Sequence, residues 1–560
     1  MADDHKTPRS VNSNKGTDSA SDKTPSSLRQ GDNDTFAGGG DIRFYEPIPE
    51  YEGYHRYDPK ETWSPQEEKR LLRKIDYRIC SWACLMFFAL QLDRGNIQQA
   101  LSDGMLNDLG LSTNQYNTGM TIFYLCFLCA ELPSQMISKK LGPDVWIPIQ
   151  MTSWSIVACC QSRLSGASSF YATRALLGLI EGGFIPDVIL YLSYFYKSRE
   201  LPLRLSFFWA AYISTNIVSA FLAYGILRLR HVTDWEGWRW LFALEGGLTA
   251  LIGILSWFYL PPSPTETASW FRGKEGWFTE REEKIMVNRV LRDDPGKVKS
   301  LFHYRKVFGY SSANATIQGG MHNRQGLALQ LLWEALTDYD LWPIYLYGLV
   351  WNIPATPITA YLTINLKTLG FDTFQTNLLT VPAYFLFLLQ VVFWTWVSER
   401  INNRFFCVLV TQIWFLPMAV ALEVLPGTAS PWSWYTLSIL MIGHPYTHAI
   451  LVALTSRNAG TVRTRTIGSA IYNMCVQAGN IIGSNIYRDA DRPLYRTGNK
   501  VLLGLISFNI VWAVGMKFFY IWRNKTKEKL WGAMSREEKD HYLNTTKDEG
   551  NKRLDFRFAH

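Results

Sequence analysis

Residues 168–194 spell SSFYATRALLGLIEGGFIPDVILYLSY, and this stretch decides the class of fold. It is longer than the roughly 20 mainly apolar residues that an α-helix needs to cross the hydrocarbon core of a bilayer. A helix satisfies its own backbone hydrogen bonds, so an apolar run of this length predicts a membrane-spanning helix. Runs of the same kind recur along the chain, before and after this one.

Twelve such runs predict an all-α membrane protein with twelve transmembrane helices in two six-helix bundles. Pro261-Pro262-Ser263-Pro264 ends the first six, and a long polar stretch separates them from the others. The predicted spans are Ile79–Ile97, Tyr116–Ser138, Val145–Gln161, Ser168–Tyr194, Leu205–Leu227, Trp240–Leu260, Leu341–Leu362, Leu378–Val397, Phe405–Leu425, Trp432–Leu454, Ile467–Ile486 and Val501–Ile521.

Polar segments define the rest of the organisation. Residues 1–62 are rich in Asp, Ser, Thr, Lys and Gly, which predicts a disordered tail. Ser64 and Pro65 begin a basic amphipathic helix, as N-cap and first helical residue, and we expect this helix to lie on the inner leaflet. The predicted parts are a cytoplasmic tail over 1–62, the first bundle with its leading helix over 63–260, a cytoplasmic linker over 261–338, the second bundle over 339–522 and a cytoplasmic tail over 523–560.

The composition agrees with a membrane protein. The 560 residues are 48% hydrophobic and 14% aromatic, with a formal net charge of +8. Lys and Arg concentrate in cytoplasmic loops, so the loops with Lys139, Lys140 and Arg457 are predicted to face the cytoplasm, together with both termini. The loop with Asp103 and Asp108 is predicted to face outward. The positive charge therefore indicates membrane orientation, and no nucleic-acid partner is predicted.

An acid–base pair, Asp93 and Arg94, lies in the first predicted span. An ionisable side chain at the centre of a membrane helix costs about 2.5–3.5 kcal/mol, so such residues usually mark a pathway or a proton relay. Arg94 offers a planar, permanent cation to an anionic substrate, and Asp93 is a candidate proton carrier. The alternative is that the span ends at Leu92 and the pair is interfacial.

The fourth span carries a second pair, Arg174 and Glu181, seven residues apart. Two helical turns place both on one face, about 10.5 Å apart along the axis. Gly178, Gly182 and Gly183 allow a neighbouring helix to approach closely, and Pro186 is expected to open the backbone just beyond. Glu181 is the strongest candidate for proton coupling; the alternative is a static ion pair between helices.

Two further glutamates lie in predicted spans. Glu131 stands near the cytoplasmic end of the second span, beside Lys139 and Lys140, and we predict a gating salt bridge there rather than substrate contact. Glu245, before Gly246-Gly247 in the sixth span, is equally compatible with a functional and a structural role.

Amides and histidines recur in the second half of the chain. Asn352, Asn473 and Gln477 are candidates to hydrogen-bond a substrate, although such amides also join helices. His444 and His448 have the spacing of a metal-binding pair, but no acid accompanies them, so two hydrogen-bonded core histidines are favoured and no metal site is predicted. The eight cysteines lie in apolar runs, which predicts no disulfide framework.

These residues resemble the major facilitator superfamily, and more narrowly the fungal allantoate-permease or anion:cation symporter family, distantly related to SLC17-type organic-anion carriers. The resemblance covers about residues 63–521. It rests on Asp93-Arg94-Gly95-Asn96-Ile97, Glu131-Leu132-Pro133-Ser134, Lys139-Lys140-Leu141-Gly142-Pro143, Arg174-x3-Gly178-x2-Glu181-Gly182 and Gly237-Trp238-Arg239-Trp240-Leu241-Phe242.

The resemblance implies two helix bundles that rock about a central site. It implies that Arg94 binds the substrate carboxylate, that Asp93 and Glu181 carry protons, and that Arg174 is the partner of the acid. Asn96, two residues after Arg94, is a further candidate to bind the substrate. Family members carry allantoate and ureido acids, vitamins, or sulfur compounds. The sequence departs from the superfamily pattern at Asp144, which follows Gly142-Pro143 where an Arg is common.

The function predicted on these grounds is proton-coupled symport of a small organic anion across the plasma membrane of a fungus, by a carrier that works as a monomer. The chain lacks nucleotide-binding and hydrolase motifs, so neither an enzyme nor a cofactor is predicted and the proton gradient is the expected energy source. The alternatives are a drug:proton antiporter, which Arg94 disfavours, and a transporter-like nutrient receptor.

Overall fold

The structure is a computed structural model. It describes residues 51–293 and 335–560, except for positions 198–199, 231, 402, 460–461, 493, 547 and 549, together with residues 47 and 333. The predicted tail up to residue 46 and most of the second part of the predicted linker lie outside these ranges.

The described chain is helical, and each of the twelve predicted spans coincides with a helix or a pair of helices. Nine spans are single helices. Spans 4, 7 and 10 are each interrupted near their middle. The helices are Ser81–Ser102 (span 1), Thr113–Leu141 (span 2), Pro143–Cys160 (span 3), Ala167–Glu181 and Phe184–Ser193 (span 4), Leu201–Ile226 (span 5), Gly237–Tyr259 (span 6), Trp342–Val350 and Thr356–Thr368 (span 7), Thr373–Ile401 (span 8), Arg404–Val424 (span 9), Pro431–Ile442 and His448–Asn458 (span 10), Val462–Ser484 (span 11) and Arg496–Ala533 (span 12).

Eight helical segments in the described ranges are long and apolar enough to cross a membrane. The other four spans fail that criterion for visible reasons. Spans 7 and 10 are divided into short helices, and spans 3 and 11 carry more polar residues. A criterion of helix length and apolar composition therefore misses both the interrupted spans and the more polar ones.

The spans pack mainly within their own half of the chain. In the first half, span 3 packs on span 6, span 2 on span 4, and span 1 on spans 5 and 6. In the second half, span 9 packs on span 12, and span 11 packs on spans 7 and 10. The halves meet where span 5 packs on span 8, span 2 on span 11, and span 1 on span 7.

Small residues bring span 4 against span 2, as the sequence predicts. A Cβ atom on Gly178 would lie within 2.3 Å of the backbone oxygen of Phe123, and one on Gly182 within 2.6 Å of that of Phe127. Only glycine leaves room for two backbones at this separation. The tight contact fixes the position of the polar residues that span 4 carries.

A group of hydrogen bonds joins the two halves at one end of the spans. Asn117 donates to the Tyr487 carbonyl oxygen at 2.8 Å and accepts from the Tyr361 hydroxyl. Asn377 donates to the Ser102 hydroxyl at 3.0 Å, and Thr363 donates to the Gln98 carbonyl oxygen at 2.7 Å. We call these residues (Gln98, Ser102, Asn117, Tyr361, Thr363, Asn377 and Tyr487) the interhalf seal. They lie at the end that the loop charges predict to face outward.

The leading helix begins as predicted, with Ser64 as N-cap in a capping box with Glu67 and Pro65 in the first turn of Pro65–Ile75. Its apolar face is covered by protein rather than left for the inner leaflet, since Leu71 and Ile75 are buried. On the same helix Lys74 pairs with Glu282 of the linker helix, Glu280–Asp293, at 2.7 Å. The prediction of a helix is confirmed. The expectation that its apolar face lies on the inner leaflet is wrong, because protein covers that face.

The linker helix also orders the end of the tail that was predicted to be disordered. Arg56 pairs with Glu283 at 2.9 Å, and the Asp58 backbone donates to Asn288 at 3.0 Å. Residues 51–62 therefore belong to the folded protein, and the predicted limit of disorder at residue 62 is wrong. The sequence concealed this because the partners of these residues are more than 200 positions away.

The chain end folds back on the second half. Asn458, at the end of span 10, accepts a 2.8 Å hydrogen bond from the Ala559 backbone, and the Phe558 side chain is buried beside Tyr520. Span 12 itself continues as a helix to Ala533, beyond the predicted boundary at residue 522.

The central cavity as candidate transport site

A cavity of about 300 Å³ lies between the two halves and is lined by residues of both. The wall includes most of the residues that the sequence singled out: Asp93, Arg94, Glu131, Arg174, Glu181, Asn352, His444, His448, Asn473 and Gln477. A cavity of this volume has the size of a small-molecule site. Residues that are distant in the sequence therefore face one shared space.

Arg94 and Glu181 form an ion pair in this wall. The Arg94 Nε atom lies 2.6 Å from Glu181 Oε2, and the glutamate side chain is 1% exposed while the arginine side chain is 19% exposed. The guanidinium also lies over the Phe127 ring, 4.7 Å from its centroid. Glu181 is thus buried behind a cation that reaches the cavity.

A break in span 4 positions Glu181. The first helix of the span ends at Glu181, and Gly183 follows with φ +102°, a left-handed conformation that favours glycine. A Cβ atom on Gly183 would lie within 2.3 Å of the Ser134 side chain in span 2. The break therefore lies at Gly182-Gly183, and not at Pro186, which stands inside the second helix of the span.

Arg174 lines the same cavity, but its observed partner differs from the implied one. It donates to the Gln161 side chain at the end of span 3, and it is 2% exposed. The carboxylate of Glu181 is engaged by Arg94 of span 1 instead. Helical spacing correctly places Arg174 and Glu181 on one face, but it does not specify which side chain pairs across helices.

Asp93 is a buried residue of the cavity wall, and two donors bind its carboxylate. Its Oδ2 atom accepts from the Thr249 hydroxyl at 2.7 Å and from the Trp154 indole at 3.2 Å. Asn96 is equally buried but lies outside the cavity wall, and its amide has no hydrogen-bond partner among the described residues. This conformation does not bring Asn96 into the cavity wall, and its role in substrate binding stays a prediction.

The second half contributes amides to the opposite wall. Asn352 lies in the turn that interrupts span 7, and Asn473 and Gln477 lie one helical turn apart on span 11. Asn480, a further turn along, donates to Gln477 at 3.1 Å. These amide groups provide both donors and acceptors to the cavity.

The two histidines flank the break in span 10 rather than one face of a helix. Residues 444–447 are non-helical, so the four-residue spacing does not bring the two rings together as in a metal site. His444 bonds the Met441 carbonyl oxygen at 3.0 Å, and His448 stacks against Trp351. No group of His, Cys, Asp or Glu within the described ranges is arranged to hold a metal ion.

Glu131 lies in the cavity wall and is 4% exposed. Lys140 is exposed and forms no ion pair with Glu131 in the described part of the chain. The side chain of Lys139 lies outside the described residues. The gating bridge to Lys139 therefore stays a prediction.

Aromatic side chains form much of the remaining wall, and the sequence analysis missed them. They are Tyr116, Phe123, Tyr124, Phe127, Trp209, Tyr212, Tyr384, Phe387 and Tyr446. Aromatic residues are common throughout the chain, so composition does not separate a cavity wall from a helix interface. The breaks near Gly182, Pro354 and Pro445 were the usable signal, since interrupted membrane helices often line binding sites.

Comparison with known proteins agrees with this geometry. Residues 83–484 match the Major Facilitator Superfamily, a region that runs from span 1 to the end of span 11. The chain belongs to this superfamily. It is therefore a membrane transporter and not an enzyme, and such facilitators need no bound cofactor.

Individual relatives and structures point the same way. An uncharacterized transporter of Saccharomyces cerevisiae is 43% identical over 511 residues, which is 91% of this chain and 90% of that protein. A bacterial homologue of the human lysosomal transporter Spinster, in an inward-facing and unoccupied conformation, gives a TM-score of 0.56 at 13% identity over 82% of this chain and 97% of that one. A D-xylose–proton symporter gives 0.56 at 14% identity over 79% and 97%. At these identities the two structures establish the fold alone.

Proposed function

We propose that this facilitator carries a small organic anion across the membrane together with protons. The observation that supports this most is the Arg94–Glu181 ion pair, which joins a permanent cation to a buried carboxyl in the wall of a cavity shared by both halves. The motifs around these residues support membership of the allantoate-permease type. A carboxylate, ureido acid, vitamin or sulfur-containing anion is the proposed substrate.

Coupling follows from competition for one guanidinium. A substrate anion that binds Arg94 in two-pronged fashion draws it away from Glu181. A buried carboxylate without its cation is strongly destabilised, so Glu181 takes up a proton as the anion binds. When the anion leaves, Arg94 returns to Glu181 and the proton is released. One proton then accompanies each turnover through this pair.

The surrounding residues have separate proposed roles. Arg174 keeps a second permanent cation in the wall and favours occupancy by an anion. Asn352, Asn473 and Gln477 hydrogen-bond the neutral polar part of the substrate from the second half. Asp93 is a further proton-carrying residue.

Alternating access requires that the two halves open at one end while they are joined at the other. The interhalf seal supports an assignment of this conformation as closed on the outer side, given the orientation that the loop charges predict. Glu131 and Lys139 are the proposed gate at the opposite end, with Lys140 beside them. We place the protein in the plasma membrane with both termini cytoplasmic, acting as a monomer.

The runner-up is a drug:proton antiporter, which the wall chemistry disfavours. Antiport of cations would place the positive charge of the substrate beside Arg94 and Arg174, and like charges in a protein cavity repel. A nutrient receptor would bind its ligand in the same cavity without carrying it across the membrane. Measured flux therefore distinguishes a transporter from a receptor.

The test is an uptake panel in vesicles that contain the purified protein. Allantoate, pantothenate, nicotinate, cysteine and taurine are compared with and without an inward proton gradient. We expect at least one of these anions or zwitterions to accumulate only when the gradient is present. Gradient-independent equilibration, or accumulation of cationic compounds alone, would contradict proton-coupled anion symport.

A further inference from the structure

Glu245 is a buried carboxyl that the proposed mechanism leaves unused. It lies in span 6 and is 1% exposed, outside the wall of the central cavity. Neither of its carboxylate oxygens has a hydrogen-bond partner among the described residues. A charged carboxylate without donors is poorly tolerated in such a place, so the protonated acid is the form that fits.

Thr249 shares span 6 with Glu245 and contacts Asp93. It stands four residues after Glu245, on the same face of span 6. Its hydroxyl donates to Asp93, which also receives the Trp154 indole N–H. Asp93 thus has the donors that stabilise a carboxylate, whereas Glu245 has none, and the two environments favour opposite protonation states.

Among the described residues around span 6, no cation pairs with Glu245. On span 1 Arg94 is engaged by Glu181, and on span 3 the facing titratable group is Cys159, near the Ala243 carbonyl oxygen at 3.8 Å. The remaining cations on span 6 and on the elements packed against it have other partners: Arg163 lies over Trp235, Arg204 binds Asp76, Arg228 lies over Tyr224, and Arg239 binds the Ser162 and Leu164 carbonyl oxygens.

We propose that Glu245 and Asp93 form a second proton site, in which Glu245 holds the proton and exchanges it with Asp93. In the exchange one O–H bond of Glu245 breaks and one O–H bond of Asp93 forms, so the pair keeps a single negative charge. Asp93 borders the cavity and connects the pair to it. This inference rests on the proposed proton coupling, and it adds a carboxyl that never touches substrate.

The test uses protons alone and needs no substrate. Infrared spectra of the purified protein in lipid nanodiscs, in H2O and D2O, resolve the C=O stretch of protonated carboxyl groups. We expect one such band of the wild type to be absent from Glu245→Gln and unchanged in Glu537→Gln, which alters an exposed glutamate of a cytoplasmic helix. An identical spectrum for Glu245→Gln and wild type would overturn the proposal.

Two variants that keep Glu245 test the link to Asp93. In Asp93→Asn the Glu245 band should disappear at a pH lower by about one unit or more, because two groups that share a proton titrate as a coupled pair. In Thr249→Val the proton should move toward Asp93, so the Glu245 band weakens while an Asp93 band appears. If the Glu245 band titrates as in the wild type in both variants, the exchange does not occur.

The outcome is independent of the uptake panel. If wild type shows no band that Glu245→Gln removes, while gradient-driven uptake is intact, the second proton site alone is refuted. An intact band without gradient-driven uptake would refute the proposed transport function alone. Glu245→Gln protein is used only when it elutes from a sizing column as a single species, which shows that it is folded. Thr249→Val tests the same exchange in a protein that keeps both carboxyl groups.

Discussion

Arg94 and Glu181 hold each other at 2.6 Å in a wall made largely of aromatic rings and amides, which also carries Asp93, Glu131 and Arg174. The pair gives the cavity one permanent charge and one charge that a proton removes. Replacing either residue by its nearest chemical relative should change transport. The planar guanidinium binds an anion in two-pronged fashion, and the carboxyl group carries a proton.

Glu181→Gln is expected to abolish gradient-driven accumulation and to leave anion exchange measurable. Glutamine keeps the shape and accepts a hydrogen bond from Arg94, but it cannot exchange a proton. Vesicle uptake with a proton gradient, compared with counterflow in its absence, measures both activities. Accumulation at the wild-type level would show that Glu181 does not carry the coupled proton.

Arg94→Lys is expected to weaken anion binding by about tenfold or more, which corresponds to the loss of one charge-assisted hydrogen bond of roughly 1.5–3 kcal/mol. An ammonium keeps the charge but not the planar two-pronged geometry. The measurement is the substrate concentration for half-maximal uptake. Arg488→Lys, in a loop outside the cavity, is the matched control, and equal effects of both changes would contradict a binding role for Arg94.

Sequence reasoning identified most charged residues of the wall, because ionisable groups inside apolar runs are rare. It did not identify their pairing. Arg174 was the implied partner of Glu181, yet Arg94 from a different helix fills that place and Arg174 bonds Gln161. The difference depends on how spans 1, 3 and 4 pack, which spacing within one helix does not contain.

At the scale of single elements, the interrupted helices bring polar residues and backbone groups to the cavity. Spans 4, 7 and 10 stop and restart near the cavity, and Glu181, Asn352 and His444 lie at or beside the interruptions. Backbone groups freed at such points are tolerated because they are buried in protein or line a cavity. The apolar runs concealed the breaks, although Gly183, Pro354 and Pro445 marked them.

Gly183→Ala is expected to destabilise the protein by about 1–3 kcal/mol from its backbone conformation, with an added penalty from the contact with Ser134. The thermal unfolding temperature of purified protein measures the effect. Gly504→Ala in span 12 is the control, because a Cβ atom there meets nothing within 4 Å. An unchanged unfolding temperature for Gly183→Ala would mean that the break is not required.

At the scale of the whole molecule, the number and order of spans were predictable, because each span is an apolar run of the length that a bilayer requires. Long-range docking was not. The ordered residues 51–62 and the returning chain end at Phe558 depend on partners in other segments, such as Asn288 and Tyr520. The interhalf seal could not be predicted either, because the sequence does not show which polar residues near the span ends face a partner in the other half.

A disulfide across the seal should stop transport. Ser102→Cys and Asn377→Cys together, in a background without the eight native cysteines, place two thiols where the side chains now form a 3.0 Å hydrogen bond. We expect oxidation to block uptake and reduction to restore it, because the halves can no longer separate at that end. Each single cysteine serves as control, and full uptake by the oxidised pair would contradict alternating access through this seal.

In the proposed mechanism, anion binding at Arg94 delivers a proton to Glu181. The internal pH of vesicles, read from an enclosed dye, reports this transfer when a transported anion is added outside in unbuffered medium. We expect the interior of wild-type vesicles to acidify as the anion enters, and Glu181→Gln vesicles to exchange the anion without acidification. Anion entry into wild-type vesicles at constant internal pH would contradict this mechanism.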